Sequence, residues 1–312
     1  MMYCIALAAL LLASPLAGMA AATQPAVPAR VMIVSIDGLR PDLALRARMP
    51  HLRGLMALGS YSFWAITTDV AITLPSHASM LTGVPPEKHR ITFNSDPPGP
   101  EPRYPAVPTI FELASKQGHT TAAVAGKSKF RVFDKPGTLN WKFFKEATDD
   151  QVASTAVAIV REHRPEVLFV HLPDCDRAGH QFGWGSDQQI AAIENADRAL
   201  GEILNALDDQ HVLDETLIIV TADHGGAGRN HGIGNARFAG ANDPRSLRIP
   251  WIAAGPGVKA NYDLTLDVQL KIHTEDTFAT ACEAMGLPLP HDITGKPILE
   301  IFQKKELLNA AP

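Results

Sequence analysis

The chain has 312 residues, 46% of them hydrophobic and 20% charged, with 28 Lys and Arg against 33 Asp and Glu for a net charge of −5. That length admits one large α/β domain or two small ones. The slightly acidic balance argues against a polyanion-binding surface, so nucleic acid is not expected as a dedicated partner, and an anionic substrate has to be attracted by local groups or metals.

Residues 5–18 form an apolar run of signal-peptide length, shorter than the ~20 residues that span a bilayer. Small residues follow, and Gly18-Met19-Ala20 or Ala20-Ala21-Ala22 offer cleavage sites, although Met1 to Cys4 contain no Lys or Arg. Residues 1–22 are therefore expected to be a cleaved signal peptide, with an uncleaved anchor as the alternative, the mature protein exported to the periplasm or secreted, and residues 30–303 a single catalytic domain. No later stretch is apolar enough to cross a membrane. Cys4 leaves with the leader; Cys175 and Cys282 remain. Two cysteines allow one disulfide in an oxidising compartment, and free thiols are the simpler reading.

Short apolar, often β-branched runs at 31–36, 120–125, 167–172, 216–221 and 249–254 read as strands buried on both faces, as in a parallel sheet. Helical patterns alternate with them at 50–58, 107–117, 150–163, 187–207 and 274–285, the last stopped by Gly286. This alternation predicts a doubly wound α/β fold, a mostly parallel central sheet flanked by helices. The proline-rich stretch 95–108 reads as a surface loop within that pattern.

Ligands in open α/β sheets bind beyond the carboxyl ends of the strands. Three of the apolar runs end there in acidic or imidazole groups: 31–36 in Asp37, 167–172 in Asp174 and Asp176, and 216–221 in Asp223-His224. Singly, Asp37-Gly38 is an ordinary turn, Asp223-His224-Gly225-Gly226 an ordinary loop, and the four-residue spacing of Asp176 and His180 a coincidence. Together at one edge the carboxylates would repel unless protonated or neutralised, and cations resolve that. Thr73 precedes Pro75 and the apolar stretch 78–81, which closes at Gly83. It therefore stands at a helix N-terminus, where free amides and the dipole favour negative charge. A plain N-cap threonine is the alternative.

The set Ser35-Ile36-Asp37-Gly38, Thr73-Leu74-Pro75-Ser76-His77, Asp176 to Gly179-His180, Ala222-Asp223-His224-Gly225 and His231-Gly232 resembles the alkaline phosphatase superfamily. Within it the sequence is most similar to the nucleotide pyrophosphatase/phosphodiesterase branch, with phosphonoacetate hydrolases as near relatives. The resemblance implies an alkaline-phosphatase-like fold and two divalent metal ions, for which Zn²⁺ suits the mixed imidazole and carboxylate set. It implies one metal held by Asp37, Asp223, His224 and the Thr73 oxygen, and the other by Asp176, His180 and His231. Asp174 competes with Asp176, whose spacing to His180 fits the pattern. Thr73 is then the nucleophile of a phosphothreonine intermediate, and Asn94 the amide donor to a phosphoryl oxygen. Leu74, Ser76 and Arg90 depart from the commoner Phe, Asn and Gly.

Lys127 and Lys129, just past the strand at 120–125, are candidates to bind a substrate phosphate or carboxylate, with a solvated loop as the alternative. His77 and His89 read as structural, His171 as a core histidine, and His273 as packing a helix terminus. Cys175, next to Asp176, is expected to point away from it in an extended segment.

The function implied is metal-dependent hydrolysis of a small-molecule phosphodiester or nucleotide pyrophosphate. A phosphomonoesterase or phosphonate hydrolase on the same frame is the alternative. A catalytically silent module that binds a phosphorylated ligand belongs to a different class. A sulfatase would need a Cys or Ser where Thr73 stands and an arginine at His77, and a phosphoglycerate mutase-like transferase would need a serine nucleophile.

Overall fold

The apolar runs expected as strands pair into one eight-stranded sheet, in a computed structural model that describes residues 27–95, 103–231 and 243–303. The first part of the chain supplies β1 (Arg30–Ile36), α1 (Pro41–Arg46), α2 (Pro50–Leu58), β2 (Gly59–Ile66), α3 (Thr73–Thr82), α4 (Pro86–His89), α5 (Ile110–Lys116), β3 (Thr121–Ala125) and β4 (Trp141–Phe144). The remainder supplies α6 (Asp149–His163), β5 (Val167–Leu172), α7 (Asp174–Phe182), α8 (Asp187–Asp209), β6 (Thr216–Thr221), α9 (Pro244–Leu247), β7 (Arg248–Ala254), β8 (Tyr262–Asp263) and α10 (Thr274–Ala284).

The strand order is β4-β3-β5-β1-β6-β7-β2-β8. The five strands from β4 to β6 run parallel, while β7 is antiparallel to both β6 and β2. Every residue of β3, β5 and β6 is buried, as a parallel sheet covered on both faces demands. The cover comes from helices that pack in sets: α2, α6 and α7 against α8, and α3 against α10.

Local sequence sets the helix ends. Thr109 with Glu112, and Thr148 with Gln151, form reciprocal capping boxes. The first delays the helix expected from 107 until Ile110, after Pro108; the second starts α6 at Asp149. His273 caps α10, the terminus role expected of it. All ten residues of α3 are buried. It ends at Gly83, whose φ of 71° is left-handed and where a Cβ would meet Phe278 Cδ1 at 2.5 Å.

Two sheet strands of four or more residues escape the expected pattern. β2 follows α2 without a loop and alternates small polar with aromatic residues, leaving Trp64 65% exposed. β4 is a four-residue edge strand. Cys175 lies in α7 rather than in an extended segment; it is buried and unpaired, as is Cys282. Among the described residues, no helix is long and apolar enough to cross a membrane. The leader expected at 1–22, part of the loop expected at 95–108, and Gly232 lie outside the described residues.

Candidate metal centre and nucleophile

Strand register explains why distant residues meet. Ser35 of β1 is level with Thr221 of β6, so Asp37 and Asp223, each two residues further on, leave the sheet side by side. Ile36 is level with Leu172 of β5, which places the first turn of α7, with Asp174 and Asp176, at the same edge. The close approach requires Gly38. Its φ is 77°, and a Cβ there would lie 3.1 Å from the Asp176 Cα.

Two groups of three side chains result, each with its ligand atoms within 4.8 Å of one another: Asp37, Asp223 and His224, and Asp176, His180 and His231. In the first, His224 Nε2 lies 3.4 Å from Asp37 Oδ1 and 3.2 Å from Asp223 Oδ2. In the second, Asp176 Oδ1 lies 3.3 Å from His180 Nε2 and 3.6 Å from His231 Nε2. Asp174 turns away, accepting hydrogen bonds from Asp149 N at 2.8 Å and Arg177 Nη1 at 3.1 Å.

The imidazoles share one arrangement. Nδ1 of His180 faces Arg229 O at 2.9 Å, Nδ1 of His224 faces Gly225 O at 2.9 Å, and Nδ1 of His231 faces Ala71 O at 2.9 Å. A carbonyl only accepts, so each Nδ1 carries a proton, and in the neutral ring Nε2 keeps the lone pair that a cation can take. Yet Nε2 of His180 and of His231 stand 3.0 Å apart. Two neutral rings so placed would oppose their lone pairs; a metal cation relieves that, as does a proton on His180, whose pKa the hydrogen bond to Asp176 raises. Asp37 Oδ1, Asp176 Oδ1, Asp223 Oδ2 and His224 Nε2 are likewise buried without a hydrogen-bond partner. Unpaired buried acceptors are costly, and these four are the atoms the two groups turn inward. The residues present therefore fit two divalent cations with nitrogen and oxygen ligands.

Lys127 links the groups: its Nζ donates to Asp37 Oδ2 at 2.7 Å and to Asp176 Oδ2 at 2.6 Å. Burial disfavours its charge, but the two carboxylates outweigh that and raise its pKa. Lys127, a candidate for substrate binding or for a solvated loop, is buried and engaged by these carboxylates. Burial also opposes ionisation of Asp37, and Lys127 and His171 overcome it, holding its pKa well below the usual range. Asp223 has no such partner, and burial followed by the Asp37 charge pushes its pKa well up. Burial, then His231, takes His224 down to about 3, which keeps its lone pair free at neutral pH.

Thr73 opens α3 and is tied to both groups through the backbone around it. His77 Nδ1 lies 2.8 Å from Thr73 O and 3.5 Å from Asp223 Oδ2, while Ala71, two residues before Thr73, supplies the carbonyl to His231. Leu74 N donates to Asn94 Oδ1 at 3.0 Å, and Lys129 Nζ donates to the same oxygen at 2.8 Å. With Oδ1 so engaged, the Asn94 amide nitrogen makes no hydrogen bond among the described residues. Lys129 has no acidic partner among them either; burial, then Lys127, lowers its pKa to about 8.

Sequence reasoning missed two contributors. Trp184 donates from Nε1 to Gly38 O at 3.0 Å and sets its ring edge-on to His180 and His231. His171, read as a core residue, places Nε2 2.8 Å from Asp37 Oδ2. Its signal was a polar residue in an all-apolar strand, one position before the edge where the carboxylates gather.

The profile of the type I phosphodiesterase / nucleotide pyrophosphatase family matches residues 31–265. An uncharacterized pyrophosphatase/phosphodiesterase of Schizosaccharomyces pombe is 25% identical over 215 residues, 62% of this chain and 44% of that protein. The chain spans about half or less of the length of the curated relatives it matches. Among solved structures, murine ectonucleotide pyrophosphatase/phosphodiesterase 5, in an inactive Thr-to-Ala form in complex with AMP, superposes with a TM-score of 0.67 at 14% identity, covering 88% of this chain and 100% of that one. A phosphonate monoester hydrolase from Silicibacter pomeroyi gives 0.64 at 15% identity, covering 88% and 76%.

Proposed function

The chain belongs to the type I phosphodiesterase / nucleotide pyrophosphatase family, and on that premise we propose that it hydrolyses a small phosphodiester or nucleotide pyrophosphate through Thr73 and two divalent cations, with Zn²⁺ as the ion its ligands suit best. The carrying observation is the inward-facing set of buried, unpaired acceptors on Asp37, Asp176, Asp223 and His224, beside the His180 and His231 Nε2 atoms 3.0 Å apart. Asp37, Asp223 and His224 would hold one ion beside Thr73, and Asp176, His180 and His231 the other. Bound divalent cations supply charge neutralisation and lower the pKa of a coordinated alcohol or water.

Thr73 stands where the amides and dipole of α3 favour an alkoxide. Its Oγ1–P bond forms as the bond from phosphorus to the leaving oxygen breaks, giving a phosphothreonine that water then cleaves to regenerate the hydroxyl. Asn94, its oxygen already engaged by Leu74 N and Lys129, is left with its amide hydrogens to donate to a non-bridging phosphoryl oxygen. Lys127 keeps Asp37 and Asp176 ionised and fixed. Lys129, a cation without an acidic partner among the described residues, attracts the anionic substrate.

That lone positive charge supports a second reading, in which the preferred group is a phosphomonoester or a phosphonate. Initial rates on 4-nitrophenyl phosphate, bis-4-nitrophenyl phosphate and the 4-nitrophenyl ester of thymidine monophosphate, run side by side, separate the two. The diesters are expected to be cleaved faster by at least about tenfold, a barrier difference of ~1.4 kcal/mol. A monoester preference would install the second reading, and no turnover of any of them would leave a phospho-ligand-binding module.

Lys129 carries a pH prediction. Its pKa is depressed to about 8 in the metal-free chain, and cations bound to the nearby carboxylates lower it further, so the free enzyme loses this cation as pH rises toward that value. Because kcat/KM reports the free enzyme, kcat/KM for a diester is expected to fall as pH rises toward about 8. In Lys129→Met the value is lower throughout and that limb is absent. An identical alkaline limb in the variant would assign the titration to another group.

A further inference from the structure

A histidine outside both ligand groups contacts one of them at Asp37. Asp37 is completely buried, and its two oxygens differ sharply: Oδ2 faces His171 Nε2 at 2.8 Å and Lys127 Nζ at 2.7 Å, whereas Oδ1 has no partner. His171 is itself 0% exposed, in β5, with its ring 4.3 Å from that of Phe130. Its tautomer follows from its surroundings. Nδ1 has no hydrogen-bond partner. A proton there would be stranded, and a bare Nε2 would then press its lone pair on a carboxylate oxygen. The proton therefore belongs on Nε2, donated to Asp37.

We infer that His171 is a positioning residue for the cation of the Asp37–Asp223–His224 group: its Nε2–H occupies Oδ2 of Asp37 and commits Oδ1 to the ion. The inference rests on the two-cation reading. A carboxylate with both oxygens free rotates and divides its charge between donors; one pinned at Oδ2 by two donors presents a single oriented lone pair. Removing such a supporting donor typically weakens metal binding by about 10–100-fold.

The test is a Zn²⁺ titration of metal-stripped full-length protein against a chromophoric chelator, with circular dichroism melts alongside. Wild type is expected to take up two equivalents. His171→Leu is expected to keep two sites, with one of them weakened by about 10–100-fold. His171→Gln, whose Nε2 can replace that of the imidazole, recovers most of the loss. His171→Asn, with its amide one bond short of Asp37, does not. If the leucine variant fails to fold, the Gln and Asn pair decides. A packing role alone would lower the melting temperature without separating Gln from Asn in metal affinity. In a His180→Ala background, where the second group is broken, the His171→Leu deficit is expected to persist.

Folded His171→Leu with both affinities at wild-type values, or Gln and Asn indistinguishable, overturns the inference while leaving the two-cation reading standing. Wild type that takes up no Zn²⁺ overturns both.

Discussion

Thr73→Ala is expected to lower kcat for a nitrophenyl diester by at least about 10³-fold, the scale seen when a covalent nucleophile is deleted, while the protein stays folded and retains Zn²⁺. The structural reason for expecting a clean loss is that the Thr73 hydroxyl makes no hydrogen bond among the described residues, and the residue capping α3 is Ile72. Alanine also favours a helix more than threonine does, so stability should hardly change. Asp37, Asp223 and His224 still supply three ligands, so metal content should fall little. Thr73→Ser keeps an oxygen on Cβ and is expected to retain part of the activity. Kinetics, metal analysis by mass spectrometry and a thermal melt on the same preparations check all three points. Unchanged diester hydrolysis by the alanine variant would sink the assignment of the nucleophile.

Exhaustive chelation is expected to abolish turnover, with Zn²⁺ restoring it, and to destabilise the fold as well. A ligand present at about 1,000 times its Kd stabilises the native state by roughly 4 kcal/mol. Stripping the metals is thus expected to lower the melting temperature by several degrees or more. The effect grows with pH, and the sign follows from Asp223. Its folded pKa is raised in the metal-free chain, so the stability its protonation contributes is fully present below the unfolded carboxylate value and lost as pH climbs through the folded one. Metal binding displaces that proton, so the gap between loaded and stripped protein widens toward neutral pH. Asp37, whose pKa is lowered, contributes with the opposite sign: its stability is present above the unfolded value and lost as pH falls through the folded one. Calorimetric melts with and without chelator at pH 5 and pH 8 measure the gap. Full activity in chelator, or a gap that narrows with pH, would count against the metal centre.

How much of this was legible in the sequence follows from burial. β5 and β6 occupy the predicted spans 167–172 and 216–221 because a strand buried on both faces is an unbroken apolar run. β2 and β4 carry no such run: one is half-solvated and alternates serine with aromatics, the other is a short edge. The residue types gathering at the sheet edge could be read from where the apolar runs stop. What could not be read were contacts that depend on the assembled fold. Lys127 meets a carboxylate 90 positions away in Asp37 and another 49 away in Asp176. His171 looked like core because its neighbours are core; only the register that sets β5 beside β1 reveals the carboxylate it faces.

The ligands of the proposed centre are steered in two different ways. Each imidazole takes its aim from a main-chain carbonyl, at Ala71, Gly225 or Arg229. A carbonyl survives almost any point substitution, so the direction of the nitrogen donors is written into the course of the loops and should drift only when loop length changes. Asp37 and Asp176 are aimed by the side chains of Lys127 and His171, which a single codon can replace. Divergence in metal preference within this scaffold should therefore run through the partners of Asp37 and Asp176 long before it touches the histidines or Asp223, which main-chain N–H groups hold.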